Sequence, residues 1–200
     1  MDEIVKQAMA KWPNVPHCYG WLALDARGGW RMRDERVQAL KLAGDRISNP
    51  ALLAFINRNY THDEEGRWYF QNGPQRVYVD LEAAPYIART DPAQGFVLQT
   101  GEPLGCIEEA WMTDSGQLLL KSGEKIALVD DRDMAQCLTL LDIGGMAASD
   151  EQLLAWMEQA GKKESLALEC GGRRIPVRYI MRDAISTHFG FTMRPQPDKK

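Results

Sequence analysis

The chain has 200 residues, of which 44% are hydrophobic and 26% charged, and its 24 Lys and Arg against 28 Asp and Glu give a net charge of −4. This composition is typical of a globular protein and excludes a disordered, collagenous or coiled-coil chain. The negative balance argues against a general attraction to nucleic acid or to an anionic membrane, so neither is expected as a partner.

The compartment is inferred from the start of the chain and from the cysteines. Residues 1–7 lack the basic start and the long apolar core of a signal peptide, and no apolar run approaches the roughly 20 residues needed to cross a bilayer. The cysteines are far apart in the sequence, as is usual for thiols in a reducing compartment: Cys18, Cys106, Cys137 and Cys170. We therefore expect a cytoplasmic protein.

In the first half, apolar residues at helical spacing from Ile4 to Trp12 predict a short helix that ends at Pro13. A β-hairpin is predicted next, from strands at 18–24 and 30–33 around Gly28. Ser48, Asn49 and Pro50 then predict the start of a helix over about 50–60. The turn at Asn72 and Gly73 predicts a second hairpin over 67–81, because both residues tolerate the positive φ of a type I′ turn.

The segment 83–105 contains several Pro and Gly residues and has Phe96 to Gln99 as its clearest strand. Strands are then predicted at 110–112, 117–121 and 125–129, followed by a helix over 131–141. Ser149 and Gln152 form the pattern of a capping box, which predicts a further helix over 149–161. A last hairpin is predicted from strands at 166–169 and 173–179.

Two parts of this order match each other in sequence. Residues 23–28 align with 111–116, and residues 71–77 align with 169–175. Each half then reads hairpin, helix, hairpin, which favours a duplication over chance similarity of turn residues. The predicted fold is α+β, with two related halves, each a helix packed on a small, mainly antiparallel sheet built from β-hairpins. The expected domains are residues 1–92, and residues 93–200 with the inserted helix 149–161 and a basic tail.

The same residues carry a resemblance. The segments 18–30, 48–52, 67–79 and 84–87 resemble uncharacterised proteobacterial families of the domain-of-unknown-function type. The resemblance implies a small α+β protein with a repeated motif and a role in ligand-regulated signalling. It implies no catalytic residues.

No spacing of residues specifies a chemistry. His17 and Cys18 are adjacent, but adjacent side chains on a strand point to opposite faces, so a catalytic pair is not expected. Clustered metal ligands and phosphate-binding glycine motifs are absent, so no metal and no cofactor is expected. The paired acids, such as Glu108 and Glu109, leave a hydrolase-type enzyme with dispersed acidic or Cys and His residues as an alternative.

The remaining pattern combines aromatic and arginine residues on the predicted hairpins. One interpretation is ordinary sheet packing, with the aromatic rings on a helix and the arginines in solvent. The other is a pocket for an anionic or aromatic ligand. The candidate binding residues are Trp21, Trp30, Trp68, Arg76 and Arg174.

The sequence therefore predicts a non-enzymatic binding module, regulatory or signalling, that holds a small molecule or a protein. A homodimeric protein-interaction module with exposed tryptophans is the other alternative. The C-terminal segment from Arg173 to Lys200 carries seven basic and two acidic residues. A solvated face and an anionic partner are both compatible with that excess.

Overall fold

A computed structural model describes residues 1–162 and 165–198 of the chain. The chain forms two compact units. Unit 1 contains Met1–Pro85 and the C-terminal residues from Gly190, and unit 2 contains Tyr86–Phe189. The terminal Lys199 and Lys200 of the expected basic tail lie outside the described residues.

Unit 1 is built on a six-stranded sheet with the strand order β3-β2-β1-β6-β5-β4. All neighbouring strands are antiparallel except β1 and β6, which are parallel. The helices are α1 (Glu3–Lys11), α2 (Glu35–Ala39) and α3 (Pro50–Arg58), and the strands are β1 (Cys18–Leu24), β2 (Trp30–Met32), β3 (Asp45–Arg46), β4 (Tyr60–His62), β5 (Trp68–Asn72) and β6 (Gln75–Leu81).

The α3 helix covers one face of this sheet. Its start is fixed by the side chain of Asn49, which accepts a hydrogen bond from the Leu52 backbone, and by Pro50 in the first turn. The Phe55 ring packs edge-on against Phe70 of β5, with 5.3 Å between ring centroids. We call this side of the sheet the core face and the opposite side the outer face.

Unit 2 contains a nine-stranded sheet with the order β13-β12-β14-β15-β9-β10-β11-β7-β8. The parallel pairs are β15 with β9 and β11 with β7. The strands are β7 (Tyr86–Asp91), β8 (Gly95–Leu98), β9 (Glu109–Thr113), β10 (Leu118–Ser122), β11 (Lys125–Val129), β12 (Leu141–Ile143), β13 (Met146–Ala147), β14 (Leu166–Cys170) and β15 (Arg173–Ile180). The helices are α4 (Met134–Leu138), α5 (Asp150–Glu158) and α6 (Ile185–Phe189), and 3-10 turns at Asp131–Asp133 and Arg182–Ala184 precede α4 and α6.

Six strands of unit 2 repeat the order of unit 1. The run β11-β10-β9-β15-β14-β12 matches β3-β2-β1-β6-β5-β4 in order and in strand direction. The α3 and α4 helices occupy the same place along the chain, after β3 and β11. An irregular backbone bond also recurs: the Gln71 amide donates to the Asn59 carbonyl, and the Glu169 amide donates to the Leu140 carbonyl. The prediction of an α+β fold with two mainly antiparallel halves is confirmed.

The limits of the units differ from the expected domains. The expected boundary between residues 92 and 93 falls in the turn between β7 and β8. Both strands belong to unit 2, since β7 pairs in parallel with β11, and unit 2 therefore begins at Tyr86. The C-terminal residues return to unit 1, where the Leu81 amide donates to the Met193 carbonyl at 2.8 Å. The α5 helix is shorter than the predicted 149–161 helix and ends at Glu158.

Unit 2 has one continuous apolar core, formed by inward side chains of the sheet and by α4 and α5. Its most buried members include Leu118, Leu120, Leu168 and Cys137, each with 0% exposure. None of the helices in residues 1–162 and 165–198 has the length and apolar composition required to span a bilayer.

Candidate functional site

A cleft of about 720 Å³ opens on the outer face of the unit 1 sheet. Its walls come from β1, β2, β6, the loop after α2 and the C-terminal segment. Seven charged side chains line it: Arg31, Arg33, Lys41, Arg194, Asp25, Asp80 and Glu82. With four cations against three carboxylates, the lining carries a net charge of +1.

The floor of the cleft is set by strand register. Ala23 of β1 is paired with Arg31 of β2 on one side and with Asp80 of β6 on the other. Directly opposed residues of neighbouring strands point to the same face, so these three side chains lie together. The smallest of them, Ala23, stands between the two charged ones and leaves the space above it open.

An ion pair crosses the floor between Arg33 and Asp80. The Arg33 Nη1 donates to Asp80 Oδ2 at 2.5 Å, and both side chains are more than four-fifths buried. Burial raises the pKa of Asp80, although the charges of Arg33 and Arg194 act in the opposite direction. The Arg33 carbonyl is held by the Gln38 side-chain amide at 3.0 Å, which fixes α2 over this edge of the cleft.

A second ion pair joins Arg31 to the β1–β2 turn. The Arg31 Nε donates to Asp25 Oδ2 at 2.8 Å. The other carboxylate oxygen of Asp25 accepts from the backbone amides of Arg27 and Gly29. A Cβ at Gly29 would stand 2.5 Å from Asp25 Oδ2, so the turn requires glycine there. The charge of Arg31 is therefore neutralised within the turn.

Lys41 and Arg194 differ from these arginines. In the part of the chain that the structure describes, neither side chain makes a salt bridge or a hydrogen bond to a carboxylate. Lys41 has a left-handed backbone with φ 54°, which fixes the loop that follows α2. Arg194 is carried by the C-terminal segment, which is bound to β6 through the Leu81 amide and the Met193 carbonyl.

The five candidate residues from the sequence fall into three places. Trp21 and Arg76 lie on the outer face, and Trp21 is 40% exposed although it does not line the cleft. Trp30 and Trp68 lie on the core face and are 2% and 6% exposed. Arg174 belongs to unit 2, where it pairs with Asp142 at 2.6 Å.

The core-face tryptophans have structural partners. Trp30 Nε1 donates to the side-chain oxygen of Asn57 in α3 at 2.8 Å, and its ring packs edge-on against Tyr60. The Trp68 ring lies 4.8 Å from Tyr60. Both indoles therefore fill the space between the sheet and α3.

Aromatic rings and arginines continue the outer face beyond the cleft. Tyr19, which lines the cleft, is stacked on Tyr78 with 4.6 Å between centroids. The Arg76 guanidinium lies 4.6 Å from the Tyr69 ring centroid. The Tyr78 hydroxyl donates to Asp63, which is also paired with Arg67 at 2.8 Å. This neighbouring network is satisfied by its own members.

The histidines and cysteines considered for catalysis have other contacts in the structure. No hydrogen bond among the described residues joins His17 to Cys18, and the His17 ring packs edge-on against Tyr78. His188 packs against Trp111 in unit 2. Burial raises the pKa of the Cys137 thiol to about 12. Within residues 1–162 and 165–198, no group of three or more His, Cys, Asp or Glu side chains is arranged to hold a metal ion.

Sequence reasoning missed the main lining residues of the cleft. Asp80 and Ala23 have no local signal, because the parallel pairing of β1 with β6 brings them together. Lys41 lies in a loop without a periodic pattern, and Arg194 stands in sequence only as one residue of the basic C-terminal segment. The one local signal of a turn after α2 is a glycine, Gly44. In the structure Gly44 has φ 89°, and the turn there places the loop that contains Lys41 beside β2.

Comparisons with known proteins give the family and the fold. The family model DUF2944, described as "Protein of unknown function (DUF2946)", matches residues 1–196. A DUF1285 family protein from Silicibacter pomeroyi DSS-3, solved as a crystal structure, is similar with a TM-score of 0.50 and 14% identity, over 89% of this chain and 96% of that chain. A DUF1285 family protein from Shewanella baltica OS155 has a TM-score of 0.40 and 13% identity, over 58% of this chain and 88% of that chain. None of the curated proteins matches the chain.

Proposed function

We propose that this chain, which belongs to the DUF2944 family of proteins of unknown function, binds a small organic anion in the cleft of unit 1. The observation that carries the proposal is the pair of cations Lys41 and Arg194, which line the cleft without a salt bridge or hydrogen bond to a carboxylate among the described residues. Cations in a cleft with low-dielectric walls concentrate anions there.

The volume and the polar groups of the cleft indicate the size and the chemical class of the ligand. A volume of about 720 Å³ suits a small molecule, since ligand pockets range over roughly 300–1,000 Å³. Asp80 and Glu82 each accept one hydrogen bond, from Arg33 and from the Ala26 amide. Their other lone pairs can accept from a ligand, so we propose an anion that also carries hydroxyl or amino donors.

The role we propose is binding rather than catalysis. The ring contact of His17 with Tyr78 supports it, because a thiol nucleophile requires a base within hydrogen-bond reach and no hydrogen bond among the described residues joins His17 to Cys18. A protein that binds a metabolite without converting it can report its concentration, and we therefore propose a regulatory or signalling role in the cytoplasm. The proteobacterial origin implied by the resemblance stays a prediction.

We also propose that the two units arose by duplication within one chain. Shared strand order and shared residue pairing support the duplication. Leu24 of β1 opposes Trp30 of β2, as Met112 of β9 opposes Leu118 of β10. Each pair flanks a turn of the same kind. The β5–β6 and β14–β15 hairpins agree in the same way, with Gln71 opposite Arg76 and Glu169 opposite Arg174.

A thermal-shift measurement tests the anion site. Phosphate, citrate and glutamate are compared with chloride at constant ionic strength, for the wild type and for the double variant Lys41→Asn, Arg194→Ala. Asparagine removes the charge and tolerates the left-handed backbone at position 41. We expect at least one organic anion to raise the Tm by roughly 5–10 °C at 100 times its Kd. The rise should be lost in the double variant.

The matched control is Lys11→Ala, which removes an exposed cation of unit 1, on α1, that does not line the cleft. Its response to each anion should equal that of the wild type. The proposal is wrong if no anion acts more strongly than chloride, or if the double variant responds as the wild type does.

A further inference from the structure

The cleft of unit 1 has a counterpart position in unit 2. Ala23 stands on β1 between its antiparallel neighbour β2 and its parallel neighbour β6, opposite Arg31 and Asp80. Trp111 stands on β9 between β10 and β15, opposite Leu119 and Arg178. Since the strands match in order and direction, Trp111 occupies the place of Ala23.

The two positions have opposite surroundings. Ala23 lines an open cleft. Trp111 is 2% exposed, and its ring contacts Phe189 and His188 of α6, with centroids 4.7 and 5.8 Å away. An indole and a short helix therefore fill in unit 2 the volume that stays open above Ala23 in unit 1.

The charged side chains near the two positions also differ in their ion pairing. In unit 2 a single carboxylate, Glu109, accepts hydrogen bonds from Lys121 at 2.7 Å and from Arg178 at 2.5 Å. Arg178 also lies 5.7 Å from the centroid of the Trp111 ring. These cations form salt bridges within the protein, whereas Lys41 and Arg194 in unit 1 form none with a carboxylate among the described residues. Around Trp111 the space of the cleft is thus filled, and the two cations that face Glu109 are paired with it.

We infer that Ala23 is the residue that determines which anions the cleft accepts, and that each chain binds one anion, in unit 1, because Trp111 and α6 occupy the equivalent place in unit 2. The inference rests on the proposed function. Side-chain volume at position 23 limits the size of the ligand that can lie between Lys41 and Arg194. Larger residues there exclude large anions before small ones.

Titration calorimetry with citrate and with inorganic phosphate tests this inference. The variants are Ala23→Val, which reduces the space above the floor, Ala23→Trp, which installs the residue found in unit 2, and Ala23→Ser as the control of nearly unchanged volume. We expect one citrate per wild-type chain, wild-type affinity in Ala23→Ser, and citrate binding weakened more than about tenfold in Ala23→Trp. In Ala23→Val the affinity for citrate should fall more than the affinity for phosphate.

Circular dichroism identifies any variant that fails to fold, and Ala23→Val, the smaller change, decides the question if Ala23→Trp does fail. Two citrates per chain, or Ala23→Val affinities equal to the wild type, would overturn the inference while leaving the anion site standing. If neither citrate nor phosphate binds the wild type, the inference is overturned, and the proposed function is overturned as well if glutamate also fails to bind.

Discussion

At the scale of single residues, Asp130 shows how buried charge stabilises unit 2. Its side chain has 0% exposure and accepts hydrogen bonds from the backbone and the side chain of Arg132. Burial alone would raise the pKa of Asp130, but the bonds from Arg132 outweigh it and lower the pKa to about 2. A carboxyl whose pKa in the folded state lies below its unfolded value stabilises the fold above that unfolded value. The stabilisation is lost as pH falls through the folded pKa.

The substitution Asp130→Asn tests this charge. The amide oxygen can still accept from the Arg132 backbone, but the ion pair is removed. We expect the variant to be less stable than the wild type by about 2 kcal/mol near pH 6, and the difference to shrink as pH falls from 3.8 toward 2. Urea unfolding at a series of pH values measures both quantities.

The control is Asp183→Asn, an exposed carboxylate of unit 2 without a hydrogen-bond or salt-bridge partner among the described residues. It should change the free energy of unfolding little at any pH. A difference between Asp130→Asn and the wild type that persists unchanged at low pH would show that Asp130 acts through packing and not through its charge.

The candidate residues illustrate what local sequence can and cannot predict. Arg76 and Trp21 were expected near a ligand, and both lie on the same sheet face as the cleft. Trp30 and Arg31 are adjacent on a strand and so must point to opposite faces, but the sequence does not decide which face packs on α3. Only the packed structure places Trp30 in the core and Arg31 in the cleft.

At the scale of elements, local signals predicted well wherever the element is defined by its own residues. The β5–β6 hairpin forms as predicted, but its two-residue turn is Gly73-Pro74, because Asn72 still pairs with Gln75. Of the two residues expected to have positive φ only Gly73 does, at 56°. The capping box at Ser149 and Gln152 is formed, with both reciprocal hydrogen bonds present. Short strands such as β3, β4 and β12 were missed, because two or three residues are too few to show an alternating pattern.

The capping box gives an element-scale prediction. Ser149→Ala removes the side-chain oxygen that accepts from the Gln152 amide at the start of α5. We expect a loss of about 1 kcal/mol in the free energy of unfolding, measured by urea denaturation. Ser149→Asp keeps an acceptor at the cap and should stay within a few tenths of a kcal/mol of the wild type. Equal losses in both variants would contradict the role of the cap.

At the scale of the whole molecule, the parallel pairings and the return of the C-terminal segment determine the candidate site. The β1–β6 pairing brings Ala23 beside Asp80, and the C-terminal segment brings Arg194 to the cleft. These are contacts between residues far apart in the sequence, and no local pattern of turns or periodicity encodes them. Hydrophobic pattern and turn residues could therefore predict two related halves, but not the cleft.

Hydrogen–deuterium exchange with and without citrate tests the central claim most directly, because it locates the anion on the chain. We predict slower exchange at saturating citrate in three segments around the cleft, residues 19–44, 80–82 and 190–198, with no change in Tyr86–Phe189. The double variant Lys41→Asn, Arg194→Ala should show none of this protection. Protection located in unit 2, or no protection anywhere at saturating citrate, would contradict the assignment of the cleft as an anion site.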